Sequence, residues 1–225
     1  MNKLSKVLTL AIFSAASLVS NVSADSSIFA GPYVGAKLSI AGVEMDGAYN
    51  DPDQEVHSKD SGQTGMIGQF GSLEAGWSLV GSGAAFVTVG TVYTPTGDAS
   101  FAAKDIGGGK NVTFELSDLM EVFIEPSIAV TDSTAVFIHA GYSEGELSVK
   151  GTDVQNQTKS LEGTTISGGL KLVTDNNIFI KAEAGMTTYD NFKVTSITGV
   201  NGNTTANATA DTEVAFGALT VGLQV

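Results

Sequence analysis

Ionisable side chains recur at alternate positions inside otherwise apolar segments of this 225-residue sequence. They are Lys37, Glu74, Glu121, Glu125, His139, Lys171, Lys181 and Glu183. A histidine among carboxylates is a combination that general acid–base catalysis uses, and with a serine nearby it could serve a hydrolase. The first question is therefore whether these residues form a catalytic set or a structural one.

A hydrolase of that kind needs a nucleophile within hydrogen-bond reach of the histidine, and a carboxylate that orients the ring. Neither of the two histidines, His57 and His139, belongs to a recognisable motif for that arrangement. Asp51, Asp53 and Glu55 could ligate a divalent cation, but they do not match a Ca²⁺-binding loop. We interpret them as a solvated acidic loop, and we expect no enzyme, no metal site and no cofactor.

The composition excludes further classes of function. The formal net charge is −13, and the sequence has no arginine and no cysteine. Nucleic-acid binding requires a basic surface, so no nucleic-acid partner is expected. A small disulfide-stapled secreted domain is excluded as well, and export from a bacterium fits the absence of cysteine better.

Residues 1–24 have the three parts of a secretory signal peptide. Lys3 and Lys6 give a positive start, LTLAIFSAASLV is a short apolar run, and Val22-Ser23-Ala24 supplies small residues for cleavage. The apolar run is too short to span a bilayer of about 30 Å comfortably. We predict cleavage after Ala24 and a mature domain of residues 25–225.

In this mature domain, apolar and polar residues alternate with a period of two, which predicts strands and not helices. The eight predicted strands cover approximately 32–42, 66–80, 84–94, 112–130, 134–144, 163–173, 177–189 and 212–225. Each is close to or above the roughly 9–11 residues of a tilted transmembrane strand. Long and short connections alternate, as in outer-membrane barrels. The sequence thus predicts an all-β, eight-stranded antiparallel up-and-down transmembrane β-barrel with long extracellular loops and short periplasmic turns.

The parity of each strand decides which way the ionisable residues point, because successive side chains face opposite sides of a sheet. In the segment IFIKAEAG, Ile178 and Ile180 lie on one face, and Lys181 and Glu183 lie on the other. We expect the apolar faces to contact lipid and the charged faces to meet in the lumen. Counted from the short turns, six charged residues fall at similar heights: Lys37, Glu74, Glu125, His139, Lys181 and Glu183. Opposite charges there would offset one another's desolvation and plug the lumen.

Two details of the outward face complete the prediction. Trp77 lies near a short turn, and Tyr93 and Tyr142 lie near the long loops, so these aromatics are expected at the membrane interfaces. Pro126 cannot donate to a strand ladder, and we expect a β-bulge to accommodate it.

The segments MEVFIEPSIAVTDSTAVFIHAGYS and SGGLKLVTDNNIFIKAEAGMTTYDN resemble the hairpins of the OmpA-like, porin-family small outer-membrane barrels. GPYVGAKLS, GSLEAGW and the terminal VGLQV are similar too, so that the resemblance covers most of residues 25–225. It implies a monomer in the bacterial outer membrane, with outer-membrane lipid and the barrel assembly machinery as partners. The family usually ends in an aromatic residue that is read during insertion, whereas this chain ends in Val225.

Three functions are compatible with such a barrel. We expect a structural or surface-interaction role, in which the long loops bind an unidentified extracellular ligand. The alternative is a narrow channel for small solutes, although eight strands leave little room for a continuous water path. A lipid-modifying outer-membrane enzyme is the third, but its chemistry would have to face the outer leaflet, and His139 is predicted to point inward near the periplasmic end.

Overall fold

A computed structural model describes residues 24–50, 60–81, 83–95, 99–104, 111–151, 156–195 and 207–225. Over these ranges the chain forms a short 3₁₀ helix, Ser27–Phe29, followed by nine strands. The strands are β1 (Gly31–Asn50), β2 (Asp60–Val80), β3 (Ala85–Thr94), β4 (Ala99–Lys104), β5 (Asn111–Thr131), β6 (Thr134–Gly151), β7 (Gln157–Val173), β8 (Ile178–Thr195) and β9 (Asn207–Gln224). Within the described part of the chain, no helix is long and apolar enough to cross a membrane.

The strands form one closed antiparallel sheet. β1 pairs with β2 and β9, and the sheet continues from β9 through β8, β7 and β6 to β5. The ring closes because β3 pairs with both β2 and β5. β4 pairs with the first residues of β5, next to the part of β5 that pairs with β3. β3 and β4 are therefore two pieces of one wall, and the predicted eight-stranded antiparallel ring is confirmed.

Several strands extend beyond their predicted limits, always toward the same end of the barrel. β1 continues to Asn50, β6 continues to Gly151, and β9 begins at Asn207. The prediction stopped where the apolar residues of the outward face end. The alternation continues past that level, but with its polarity exchanged between the two faces.

Pro126 does not lie in a bulge, contrary to the prediction. β5 and β6 keep one register across it, from Ile124↔Ala140 to Ser127↔Phe137. The pairing lapses between these two points because proline has no N–H to donate to β6. The register shifts of this strand pair lie elsewhere, between Ser117 and Met120 and between Ala129 and Thr131.

Large apolar side chains cover the outward face of the lower barrel, the part nearer the short turns, and form a belt. Belt residues that are 41–59% exposed include Val34, Leu38, Ile40, Leu73, Leu79, Val122, Ile166, Leu170, Ile180, Leu219, Val221 and Leu223. Above the belt the same face carries exposed polar residues, among them Glu44, Glu144, Glu162, Thr188 and Glu213. Soluble monomers rarely expose so large a continuous apolar surface, whereas transmembrane barrels require one.

Candidate functional site

The eight ionisable residues singled out in the sequence all point into the barrel, and we call them the charge layer. Lys181 of β8 lies at its centre and is 1% exposed. Its Nζ is 2.9 Å from Glu74 Oε1 on β2, 2.6 Å from Glu125 Oε2 on β5 and 3.9 Å from Glu183 Oε2. One ammonium group thus connects three walls of the barrel across the lumen.

Lys37 and the hydroxyl groups extend this network to the neighbouring walls. Lys37 Nζ donates to Glu183 Oε2 at 2.9 Å, and Ser167 Oγ donates to Glu183 Oε1. Tyr33 Oη donates to Glu74 Oε1 at 2.8 Å, beside the bond from Lys181. Each carboxylate therefore has at least two partners, which is the condition under which burial of an ion pair is tolerated.

His139 lies between the carboxylates of Glu121 and Glu125. Its Nε2 lies 3.0 Å from Glu121 Oε1, and its Nδ1 lies 3.5 Å from Glu125 Oε2. Glu121 also accepts a hydrogen bond of 2.6 Å from Thr165 Oγ1. The ring stacks on Phe123 with centroids 4.6 Å apart. The histidine therefore holds Glu121 through Nε2, while Nδ1 faces Glu125 without forming a hydrogen bond, and the ring has no exposed surface.

Lys171 belongs to the charge layer by position but is held differently. It is 2% exposed, and its Nζ donates to Gln224 Oε1 at 3.0 Å. The ammonium also lies 4.3 Å from the ring centroid of Tyr33 and 5.0 Å from that of Phe179. Cation–π contacts and one hydrogen bond to the amide oxygen of Gln224 therefore hold this lysine, which was predicted to face the lumen without an assigned partner.

The lower mouth of the barrel is closed by residues 24–30, which we call the N-terminal plug. Phe29 is fully buried and stacks on Phe86 of β3, with ring centroids 4.9 Å apart. Ser26 Oγ donates to the carbonyl of Gly83 at 2.7 Å. Gln224 Nε2 donates to the carbonyl of Ala30 at 3.2 Å. Sequence reasoning missed this plug, for which the apolar Ile28-Phe29 pair just before β1 was the available signal.

The upper lumen is filled by apolar side chains, which we call the upper core. These are Val43, Met66, Leu116, Leu147, Val149, Leu161 and Phe192, each 8% exposed or less. These apolar residues were not predicted to fill the lumen, because a polar interior was expected throughout. Between this core and the charge layer, hydroxyl groups line a cavity of only about 60 Å³. The Oγ atom of Ser72 and the Oγ1 atom of Thr94 are hydrogen-bonded there at 2.7 Å. The Oγ1 atoms of Thr165 and Thr187 are hydrogen-bonded at 2.9 Å.

The three predicted interface aromatics lie near the ends of the belt. Trp77 is outward and 54% exposed, toward the short turns. Tyr93 is 41% exposed and donates to Asp118 Oδ1 at 3.0 Å. Tyr142 donates to Glu162 Oε2 at 2.7 Å. Both tyrosine hydroxyl groups thus point to polar partners at the long-loop side of the belt.

The acidic group at Asp51, Asp53 and Glu55, and His57 beside it, lie outside the described residues. Within the described ranges, no group of three or more His, Cys, Asp or Glu side chains is arranged to hold a metal ion. Among the buried polar side-chain atoms of the described residues, His139 Nδ1, Ser143 Oγ and Thr212 Oγ1 have no hydrogen-bond partner, and the others are paired. The interior is therefore a packed lumen whose walls are joined by hydrogen bonds and ion pairs.

The chain matches no protein-family model and no curated protein. Similar solved structures include Ail, the attachment invasion locus protein of Yersinia pestis, with 13% identity, a TM-score of 0.42, and coverage of 84% of this chain and 97% of that one. The outer membrane protease OmpT from Escherichia coli has 8% identity, a TM-score of 0.45, and coverage of 86% and 97%. The outer membrane protein AlkL, solved in lipid bilayers, has 12% identity, a TM-score of 0.42, and coverage of 92% and 96%. The fold assignment depends on the strand pairing itself, and the resemblance to the OmpA-like porin family stays a prediction.

Proposed function

We propose that this protein is a bacterial outer-membrane β-barrel with a structural and surface-interaction role, and that it is neither a channel nor an enzyme. It would act as a monomer in outer-membrane lipid, inserted by the barrel assembly machinery. Its long-loop end would face outward and meet an extracellular ligand. The apolar belt supports the membrane location, since the unpaired apolar surface of such a ring has to be covered by lipid.

One observation carries the choice of role: the lumen is filled at three successive levels. The N-terminal plug fills the lower mouth with Phe29, which has no exposed surface. The charge layer crosses the middle, with Lys181 bonded to carboxylates of two other walls. The upper core fills the part of the lumen nearer the long loops. Solute passage would require all three to move, so a surface role fits this interior better than transport.

The test is conductance together with insertion. The protein is folded into lipid vesicles, and folding is verified by heat-modifiable migration on gels. The same vesicles are then fused with a planar bilayer, so that an absence of current cannot be attributed to missing protein. We expect folded wild-type protein without stable single-channel events. Steady conductance would overturn the closed-lumen role in favour of the narrow channel, and failure to fold into any bilayer would overturn the membrane location.

A further inference from the structure

The outward wall has a depression at the short-turn end of β2, β3, β5 and β6, which we call the belt groove. Its volume is about 370 Å³. Its walls are mainly the apolar side chains of Leu79, Val87, Pro126, Ile128, Val136 and Ile138. All six have the parity of the lipid-facing belt. The inward-pointing Phe86, Ser127 and Phe137 complete the lining, so the groove is a recess of the belt whose inner side adjoins residues of the lumen face.

The depth of the groove is visible in the burial of its floor. Ile128 is only 6% exposed, although Ile180 and Leu219, on the same face of other walls, are 41% and 50% exposed. Pro126, also on the floor, is buried too. The lapse in β5–β6 pairing lies at this point, because Pro126 has no N–H to donate. The recess thus coincides with the local interruption of the sheet.

We propose that the belt groove binds the acyl chain of a membrane lipid. This inference rests on the proposed membrane location. The recess opens within a surface that lipid has to cover, and its mainly apolar walls offer water few partners. A cavity of about 150 Å³ already admits benzene, so the groove has room for a segment of a fatty chain. A flexible chain can follow a narrow recess, whereas the wall of a second barrel is convex and stiff.

A lipid chain in the belt groove would contact more protein atoms than a lipid chain elsewhere on the belt. A chain lying in it touches protein on several sides, whereas a chain on the open belt touches protein on one side. Dispersion contacts add up with the number of neighbouring atoms, so the groove should hold its chain longer than the remaining belt. Labelling by a lipid with a photoactivatable group on its acyl chain should therefore be uneven around the barrel.

The experiment reconstitutes the full chain in phosphatidylcholine vesicles that contain a phosphatidylcholine with a diazirine on one acyl chain. Labelled positions are mapped by mass spectrometry after irradiation. Ala85 lines the groove, and Ala85→Phe should fill it. Ala182→Phe adds the same volume to the outward face of β8 and serves as the matched control. Where Ala85→Phe does not fold by gel migration, Ala85→Leu is the smaller filler.

We expect wild type and Ala182→Phe to be labelled at Val136 and Ile138 about threefold more than at Leu219, because the chain there is enclosed. Ala85→Phe should reduce the labelling of Val136 and Ile138 to that of Leu219 on the open belt. Even labelling of the whole belt would overturn the groove and leave the membrane location standing. Absence of labelling anywhere on the belt would overturn the membrane location itself. Labelling of Val136 and Ile138 below that of Leu219, together with a dimer captured when the same vesicles are treated with a bifunctional cross-linker, would replace the lipid with a second copy of the chain.

Discussion

Replacing Lys181 with methionine tests the charge layer most directly, because methionine keeps most of the apolar stem and removes the charge and the N–H donors of the ammonium group. The ammonium lies within 2.9 Å of carboxylate oxygens on both Glu74 and Glu125. Lys181 and both glutamates are at most 1% exposed. Removing one partner of a buried pair typically costs about 3–5 kcal/mol, because the surviving charge stays buried. At a slope of about 2 kcal/mol per molar urea, the unfolding midpoint should fall by roughly 2 M.

The two surviving carboxylates should not suffer equally. Glu74 keeps the hydrogen bond from Tyr33 Oη at 2.8 Å, whereas Glu125 keeps only the His139 Nδ1 atom at 3.5 Å, which makes no hydrogen bond to it. Neutralising Glu125 in the Lys181→Met background should therefore recover more stability than neutralising Glu74. Lys181→Met/Glu125→Gln and Lys181→Met/Glu74→Gln are compared with the single variants in one double-mutant cycle each.

The assay is urea unfolding from lipid vesicles, followed by heat-modifiable migration and tryptophan fluorescence. Lys150→Met is the matched control, since Lys150 pairs with Glu115 in an exposed position, with 52% and 37% of the two side chains accessible. That pair should contribute less than about 1 kcal/mol. If Lys181→Met is tolerated as well as Lys150→Met, the charge layer is hydrated and the argument for a packed lumen fails.

Three further predictions concern the belt, the upper core and the leader. Ile180→Arg should destabilise by about 2–4 kcal/mol in vesicle titrations if the residue lies near mid-bilayer, and Thr188→Arg, above the belt on the same face of β8, should be nearly neutral; equal effects would misplace the belt. Leu147→Ala should cost about 2–5 kcal/mol in the same titrations, although it lies above the belt. Its outward neighbour Glu146→Ala should stay within about 0.5 kcal/mol, and similar losses would contradict a packed upper core. N-terminal sequencing of membrane-extracted protein should begin at Asp25, and an intact leader would refute cleavage there.

The ring of eight walls could be predicted because each wall carries its own period-two signal. The same signal fixes which face of each strand points inward, because a slip of one residue would turn the apolar face inward, but it does not exclude slips of two residues. Lys181 and Glu183 lie two residues apart and therefore share a face, which needs no knowledge of their partners. The positions that the sequence placed at one height are joined in the structure through contacts such as Lys37 to Glu183 at 2.9 Å and Lys181 to Glu74 at 2.9 Å.

The partners themselves could not be predicted, because they depend on the stagger of walls far apart in sequence. Lys181 and Glu74 are separated by 107 residues, and parity alone does not say which glutamate a lysine meets. The N-terminal plug could not be predicted for another reason. Residues 24–30 form no strand, so no periodicity marks them, and only the burial of Phe29 shows their role. Pro126 was misjudged because a strand can tolerate a lapse of pairing without inserting a residue.

The exchange of polarity along β6 has a consequence for the proposed surface role. On β6 the outward residues change from Ala140 and Tyr142 to Glu144 and Glu146, while the inward ones become Leu147 and Val149. In the proposed membrane location, the outward residues up to Tyr142 would face lipid and those from Glu144 onward would face water, which would place the membrane edge near Tyr142. β6 nevertheless continues to Gly151. At about 3.3 Å per residue and a tilt of about 40°, the wall rises roughly 20 Å beyond that edge. The upper core packs inside this extension, so in the proposed role it would support the long-loop end above the membrane surface, where a partner could reach it.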